Sequence, residues 1–362
     1  MIADLPISFC MIVKNEEVFL DVALKSVTSV FGADDIVVVD TGSTDQTKAI
    51  ASENGASVFD FTWIDDFSAA RNFAASKAEN DWIFVIDADE EVAGADLSDI
   101  QSFIPSIQNI GMVSLVDTNT KRASTVARLY NRSVYSFKGN IHEQIRAIDE
   151  SAKPIYKEVN ISMLHHGYLP EYDKVNAKLE RNERLLLAEL KKQPENPYLL
   201  YQLGKSYFCN DRNLSKACEY FEKAMRAGAD VNVNYTYDLV ECYAYALLNT
   251  AHYEKALALR EKFFPYYKDN VQFRFLSGHI FQNNGMFIEA VESYESCIGM
   301  DVFNPNGLTS FLSFYNIGVI LECIGMIEDA LEMYKSCGDY APAVQRLVEL
   351  GADGRWQMTK DK

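Results

Sequence analysis

The chain has 362 residues, 48% hydrophobic and 24% charged, the composition of a packed protein long enough for two domains. Its 34 lysine and arginine residues against 52 aspartate and glutamate give a formal charge of −18, the wrong sign for gripping nucleic acid or an anionic bilayer. No apolar run approaches the roughly 20 residues needed to cross a bilayer, and Met1 to Pro6 lacks a basic and apolar leader, so no membrane span and a cytoplasmic location are expected.

The first ninety residues alternate between two hydrophobic periods. Ile7 to Val13, Ile36 to Val39 and Trp82 to Ile86 are near-continuous apolar runs that end abruptly in polar residues, as buried parallel strands do. Between them Glu17 to Val30, Asp45 to Asn54 and Phe67 to Lys77 have helical periodicity. The pattern predicts an open α/β sheet, extended by shorter strands such as Val126 to Tyr130 and Val159 to Leu164. Beyond His165-His166-Gly167-Tyr168 the character changes to helix, beginning with the amphipathic stretch Tyr172 to Lys192.

Farther on, a small residue followed twelve or thirteen positions later by alanine recurs four times: Gly204 with Ala217, Ala244 with Ala256, Gly278 with Ala290, and Gly318 with Ala330. A large residue falls four after the alanine at Phe221, Tyr294 and Tyr334, with Arg260 as the exception. This internal repeat resembles the tetratricopeptide helix-turn-helix, in which small residues let paired helices approach and aromatics fill the gap. Seven cysteines without a CxxC spacing suggest reduced, mostly core residues rather than disulfides or a zinc site.

In an open α/β sheet, ligands bind beyond the carboxyl ends of the strands. The acids gather there: Asn15-Glu16-Glu17, Asp40-Thr41-Gly42-Ser43-Thr44-Asp45 and Asp87-Ala88-Asp89-Glu90. Asp87 and Asp89 would point to opposite faces of an extended chain, so a turn must begin there for both to reach one hard cation such as Mg²⁺ or Mn²⁺. The turn after Asp40 could equally be a helix cap formed by Ser43 or Thr44. Arg71 suits a diphosphate, or else pairs with Asp65 or Asp66.

Cys10 to Glu17, Val39 to Asp45, Phe67 to Asn72 and Asp87 to Glu90, in this order and spacing, resemble the family-two glycosyltransferases of the GT-A fold. Phe137 to Gln144, with His165 to Tyr168, resembles the branch that includes lipopolysaccharide-core, peptide and flagellin glycosyltransferases. Repeats behind such a domain resemble the sublancin-type peptide S-glycosyltransferases. The resemblance implies that Asp40 meets the nucleotide base and Glu16 or Glu17 the ribose. Asp89, helped by Asp87, would hold Mn²⁺ or Mg²⁺ on the diphosphate, which Arg71 steadies. Glu143 would be the base for an inverting transfer, with His142 as its rival, and His142, His165 or His166 could join the metal.

The organisation expected is therefore a GT-A, Rossmann-like open sheet over residues 1–170, a connecting helix at 171–194, tetratricopeptide-like repeats at 195–345 and a tail at 346–362. The function expected is metal-dependent transfer of a sugar from a nucleotide-sugar donor, UDP-linked, to a peptide or protein acceptor. The rival readings are an envelope-saccharide acceptor and a non-catalytic nucleotide-sugar-binding scaffold. The tyrosine-rich repeats, including Tyr235, Tyr237, Tyr243, Tyr245, Tyr266 and Tyr267, suggest a homodimer contact or a peptide surface.

Overall fold

The computed structural model describes residues 5–119, 123–167, 172–209, 213–233, 235–300 and 307–351, with residues 172–178 described by backbone alone. Tyr168 and most of the expected tail lie outside the described residues. The chain divides into two compact units, Met1–Glu189 and Leu190–Lys362.

The first unit begins β1 (Ile7–Val13), α1 (Leu20–Phe31), β2 (Ile36–Asp40), α2 (Thr47–Glu53), β3 (Ser57–Asp60), α3 (Phe67–Lys77) and β4 (Trp82–Val85). It continues through β5 (Glu90–Ala95), α4 (Leu97–Phe103), β6 (Asn109–Asp117), β7 (Ala123–Asn131), β8 (Tyr135–Lys138), β9 (Gln144–Ala147) and β10 (Ile155–His165), ending in α5 (Tyr172–Lys192). Eight strands form one sheet in the order β3-β2-β1-β4-β7-β6-β10-β5, and β8 and β9 form a separate ribbon. The first four strands are parallel; β7 runs antiparallel between β4 and β6, β10 is parallel to β6, and β5 is antiparallel to β10. The carboxyl ends of β1, β2, β4, β6 and β10 therefore share one edge of the sheet.

The apolar runs are continuous because both faces are covered. Phe9, Met11 and Val13 of β1 pack with Leu20, Leu24 and Val27 of α1, whereas Cys10 packs with Ala74 and Ala75 of α3 on the other face. Each fully buried large side chain contributes about 1.5–3 kcal/mol. Helix α3 approaches closely because alanines line its inner face, and Asp66 caps it by accepting from the Ala69 amide.

The second unit pairs α6 (Pro197–Phe208) with α7 (Leu214–Arg226), α8 (Tyr235–Asn249) with α9 (Tyr253–Tyr267), α10 (Val271–Asn283) with α11 (Phe287–Glu295) and α12 (Phe311–Cys323) with α13 (Ile327–Lys335), and ends on α14 (Ala341–Glu349). The predicted small-to-large seam is present. A Cβ on Gly204, Gly278 or Gly318 would stand 2.5, 2.5 or 2.7 Å from the ring of Phe221, Tyr294 or Tyr334, respectively. The tyrosine group is divided: Tyr243 is buried, Tyr237 meets Tyr267 edge to face at 5.2 Å, and Tyr266 is 61% exposed. No helix among the described residues is long and apolar enough to cross a membrane.

Candidate active site

The loops after β1 and β2 lock together. Asn15 adopts a left-handed conformation (φ 56°), which asparagine tolerates. Its amide donates to Ser43 Oγ at 2.9 Å, and its Oδ1 accepts from the Thr44 amide at 2.8 Å. The Glu16 amide donates to Thr47 Oγ1, and Glu17 Oε2 accepts from the Gln46 amide at 3.1 Å. Asp40 is buried and accepts from the amides of Gly42 and Ser43 at 3.0 Å each, holding a turn in which Gly42 takes φ 104°. Neither Ser43 nor Thr44 caps α2, because that helix starts only at Thr47 and Asp45 accepts from the Thr47 amide.

Beyond β4 the chain turns: the Glu90 amide donates to the Asp87 carbonyl at 3.0 Å. This turn gives the two aspartates different surroundings. Asp87 Oδ1 accepts from Arg71 Nη2 at 2.9 Å and Oδ2 from Arg128 Nη2 at 3.0 Å. Burial alone would raise the Asp87 pKa, but the two guanidinium groups outweigh it and hold it well below the usual carboxylate range. Arg128 also pairs with Glu90, whose own pKa burial raises despite that partner. Arg71 Nε reaches Glu143 Oε1 at 2.5 Å. Arg71 Nη1 and Arg128 Nε are buried donors without a hydrogen-bond partner among the described residues.

Asp89 faces the end of β10. Its Oδ2 lies 3.3 Å from His165 Nε2, and His165 Nδ1 lies 3.2 Å from Asp117 Oδ2 at the end of β6. Hydrogen bonding to Asp89 lifts the His165 pKa to about 9, so it is protonated at neutral pH in this arrangement. His166 Nε2 meets Glu91 at 2.7 Å, its amide donates to the Asp89 carbonyl, and its ring stacks on Phe19.

Comparison with known proteins bears on this strand-tip cluster. Residues 8–152 match the model of glycosyl transferase family 2, and residues 271–301, covering α10 and α11, match a tetratricopeptide repeat. The first unit carries a glycosyltransferase family 2 domain. A TPR repeat-containing protein of Synechococcus elongatus is 32% identical over 61% of this chain and 57% of its own length. The SPbeta prophage-derived glycosyltransferase SunS of Bacillus subtilis is 28% identical over 62% of this chain and 54% of its own. The chain thus spans little more than half of these curated relatives. The solved structure of YrrB, a TPR protein with an unusual peptide-binding site, aligns with TM-score 0.40 and 25% identity over 48% of this chain and 85% of that one.

Within the glycosyltransferase domain, Asp87, expected beside Asp89 as a metal ligand, has both oxygens on guanidinium groups. Arg71 pairs with Glu143 and Asp87 rather than with Asp65 or Asp66: Asp65 binds Arg184, and Asp66 caps α3. His166, a further expected ligand, is engaged by Glu91. His142 sits next to Glu143 in a left-handed conformation (φ 50°). Sequence reasoning missed Arg128 and Asp117. The available signal for Arg128 was a lone cation inside the otherwise apolar run Val126 to Tyr130.

Proposed function

We propose that the chain is an inverting, metal-dependent glycosyltransferase that moves a sugar from a nucleotide-sugar, UDP-linked, to a side chain of a peptide or protein. One observation carries the reading: Arg71 joins Glu143 to Asp87 at the same sheet edge where Asp89 stands, so the candidate base and the candidate cation ligand share one rim. The linked loops of Glu16, Glu17 and Asp40 lie beside it, next to the β1 end, and offer a shelf for the nucleoside.

The residues fit a cation bound mostly through its substrate. Asp89 is one-third exposed and offers a carboxylate oxygen to Mn²⁺ or Mg²⁺ completed by phosphate and water, whereas His165, protonated between Asp89 and Asp117, would have to lose its proton before adding a nitrogen ligand. No group of three or more His, Cys, Asp or Glu among the described residues forms a cage. Bound there, the cation would neutralise charge on the departing diphosphate. Arg71 retains one buried donor, Nη1, for the same phosphates and orients Glu143, which takes the proton of the attacking side chain.

The test is transfer from UDP-sugars to peptides bearing cysteine, serine or threonine, with Mn²⁺, Mg²⁺ or chelator. Asp89→Asn should reduce transfer and donor hydrolysis together by about 100-fold or more. Glu143→Gln should reduce transfer by about 10²–10⁴-fold while UDP still raises the melting temperature. Full turnover of Asp89→Asn under chelation overturns the metal role. Transfer to free saccharides but to no peptide overturns the acceptor.

A further inference from the structure

Glu143, the candidate base, stands immediately before β9, at the end of the turn that joins it to β8, and these two strands form a ribbon outside the eight-stranded sheet. A two-stranded ribbon is marginally stable by itself, so its orientation has to come from what it packs against. Helix α3 supplies that support. The Phe67 amide donates to the Asn140 carbonyl at 2.9 Å, and Ser68 Oγ donates to the Gly139 carbonyl at 2.6 Å. One turn on, Asn72 makes a reciprocal pair with the backbone of Phe137: Nδ2 donates to its carbonyl and Oδ1 accepts from its amide, both at 2.9 Å. A side-chain amide carries the same donor and acceptor as a peptide group, so Asn72 serves β8 as a neighbouring strand would.

Arg71 lies between these contacts on the same face of α3. Its guanidinium carbon is 5.5 Å from the ring centre of Phe137, and its Nε reaches Glu143. The turn itself is tightly held: Gly139 and His142 are both left-handed (φ 103° and 50°), and Ile141 between them is buried. A left-handed histidine persists only where its surroundings over-determine it. An ion pair alone would leave the ribbon free to pivot about Arg71, whereas hydrogen bonds to the backbone of Phe137, Gly139 and Asn140 fix it along its length.

We propose that Asn72 and Ser68 are positioning residues for Glu143: they dock the ribbon on α3, so that the helix carrying Arg71 to Asp87 also sets where the carboxylate of the base stands. This rests on Glu143 serving as the base, as proposed above. Asn72 and Ser68 act through the backbone of residues 137–140 and contact neither donor nor acceptor. A shift of about 1 Å in a reacting group costs on the order of 10²-fold in rate, so loosening the ribbon should slow transfer without weakening donor binding.

Transfer kinetics of Asn72→Ala, Glu143→Gln and the double variant, with hydrogen exchange of the full chain, test this. Asn72→Ala should lower kcat for transfer by about 10²-fold while the donor KM stays within about twofold. In the Glu143→Gln background the same substitution should change transfer by less than about twofold, because the group it positions is already gone. Amides of β8 and β9 should exchange faster in Asn72→Ala, with those of β1 and β2 unchanged. Ser68→Ala, which removes one bond, should show the same pattern at about tenfold, and provides the test if Asn72→Ala fails to fold. Equal losses in both backgrounds overturn the proposal, and so does unchanged exchange in the ribbon. Loss of transfer in Glu143→Gln with none in Asn72→Ala overturns the positioning role alone, whereas full transfer in Glu143→Gln overturns the base and the positioning role together.

Discussion

The sheet edge of the first unit and the helix seams of the second are both buried, but they are closed by different forces. At the sheet edge, Arg71 and Arg128 are 11% and 13% exposed and are held by Asp87, Glu90 and Glu143, so the fit is electrostatic. In the seams, Gly204, Gly278 and Gly318 receive the rings of Phe221, Tyr294 and Tyr334, so the fit is steric. The first arrangement should tolerate changes of shape that preserve charge balance, and the second should tolerate changes of charge that preserve volume.

Arg128→Met should produce the larger loss. It leaves Glu90, only 2% exposed, without its cation and deprives Asp87 of one of two partners, costing about 3 kcal/mol in urea unfolding. Adding Glu90→Leu should restore most of that stability. If the single variant unfolds within about 0.5 kcal/mol of the parent, the network does not hold the edge together. Gly278→Ala should cost about 2 kcal/mol, since its Cβ would lie 2.5 Å from Tyr294 Cε1. Gly285→Ala provides the contrast: a Cβ there meets nothing within 4 Å among the described residues, and its positive φ of 73° opposes the change, for about 1 kcal/mol. Equal losses at the two glycines would remove the steric account of the seam.

The same contrast explains what was legible in the sequence. Strands β1, β2 and β4 stand out because they are buried on both faces and have no polar alternation to dilute the signal. Strand β3 was invisible because it lies at the sheet edge with exposed Ser57 and Asp60 at its ends. Strand β5 was hidden because it begins with Glu90 and Glu91; Glu90 can enter the core only with Arg128, 38 residues away. The seams were legible because each glycine and its aromatic partner lie a nearly constant 16 or 17 residues apart. The individual acids and Arg71 could likewise be singled out, but their partners could not. Arg71 finds Asp87 and Glu143 at separations of 16 and 72 residues, while Asp65 finds Arg184 at 119, and no local pattern encodes such pairings.

A smaller effect separates the two units by pH. His279, among Tyr245, Phe275 and Tyr294, has its pKa pushed down to about 4 by burial, whereas hydrogen bonding to Asp89 raises that of His165 to about 9. An unfolded histidine titrates near 6.5. For His279 the unfolded chain therefore holds more protons between pH 4 and 6.5, and the folded state weakens as pH falls through that window. For His165 the folded chain holds more protons between 6.5 and 9, so its contribution is complete below 6.5 and is lost as pH rises through 9. After allowance for solvent screening, these amount to about 2 kcal/mol for His279 and about 1 kcal/mol for His165, whose side chain is 34% exposed. Urea unfolding with a chelator present, at pH 4.5, 6.5 and 9.5, should show stability falling on both sides of the middle value. His279→Phe should flatten the acid side alone, and His165→Asn the alkaline side alone. If either substitution flattens both sides, the two histidines are not independent reporters of the two units.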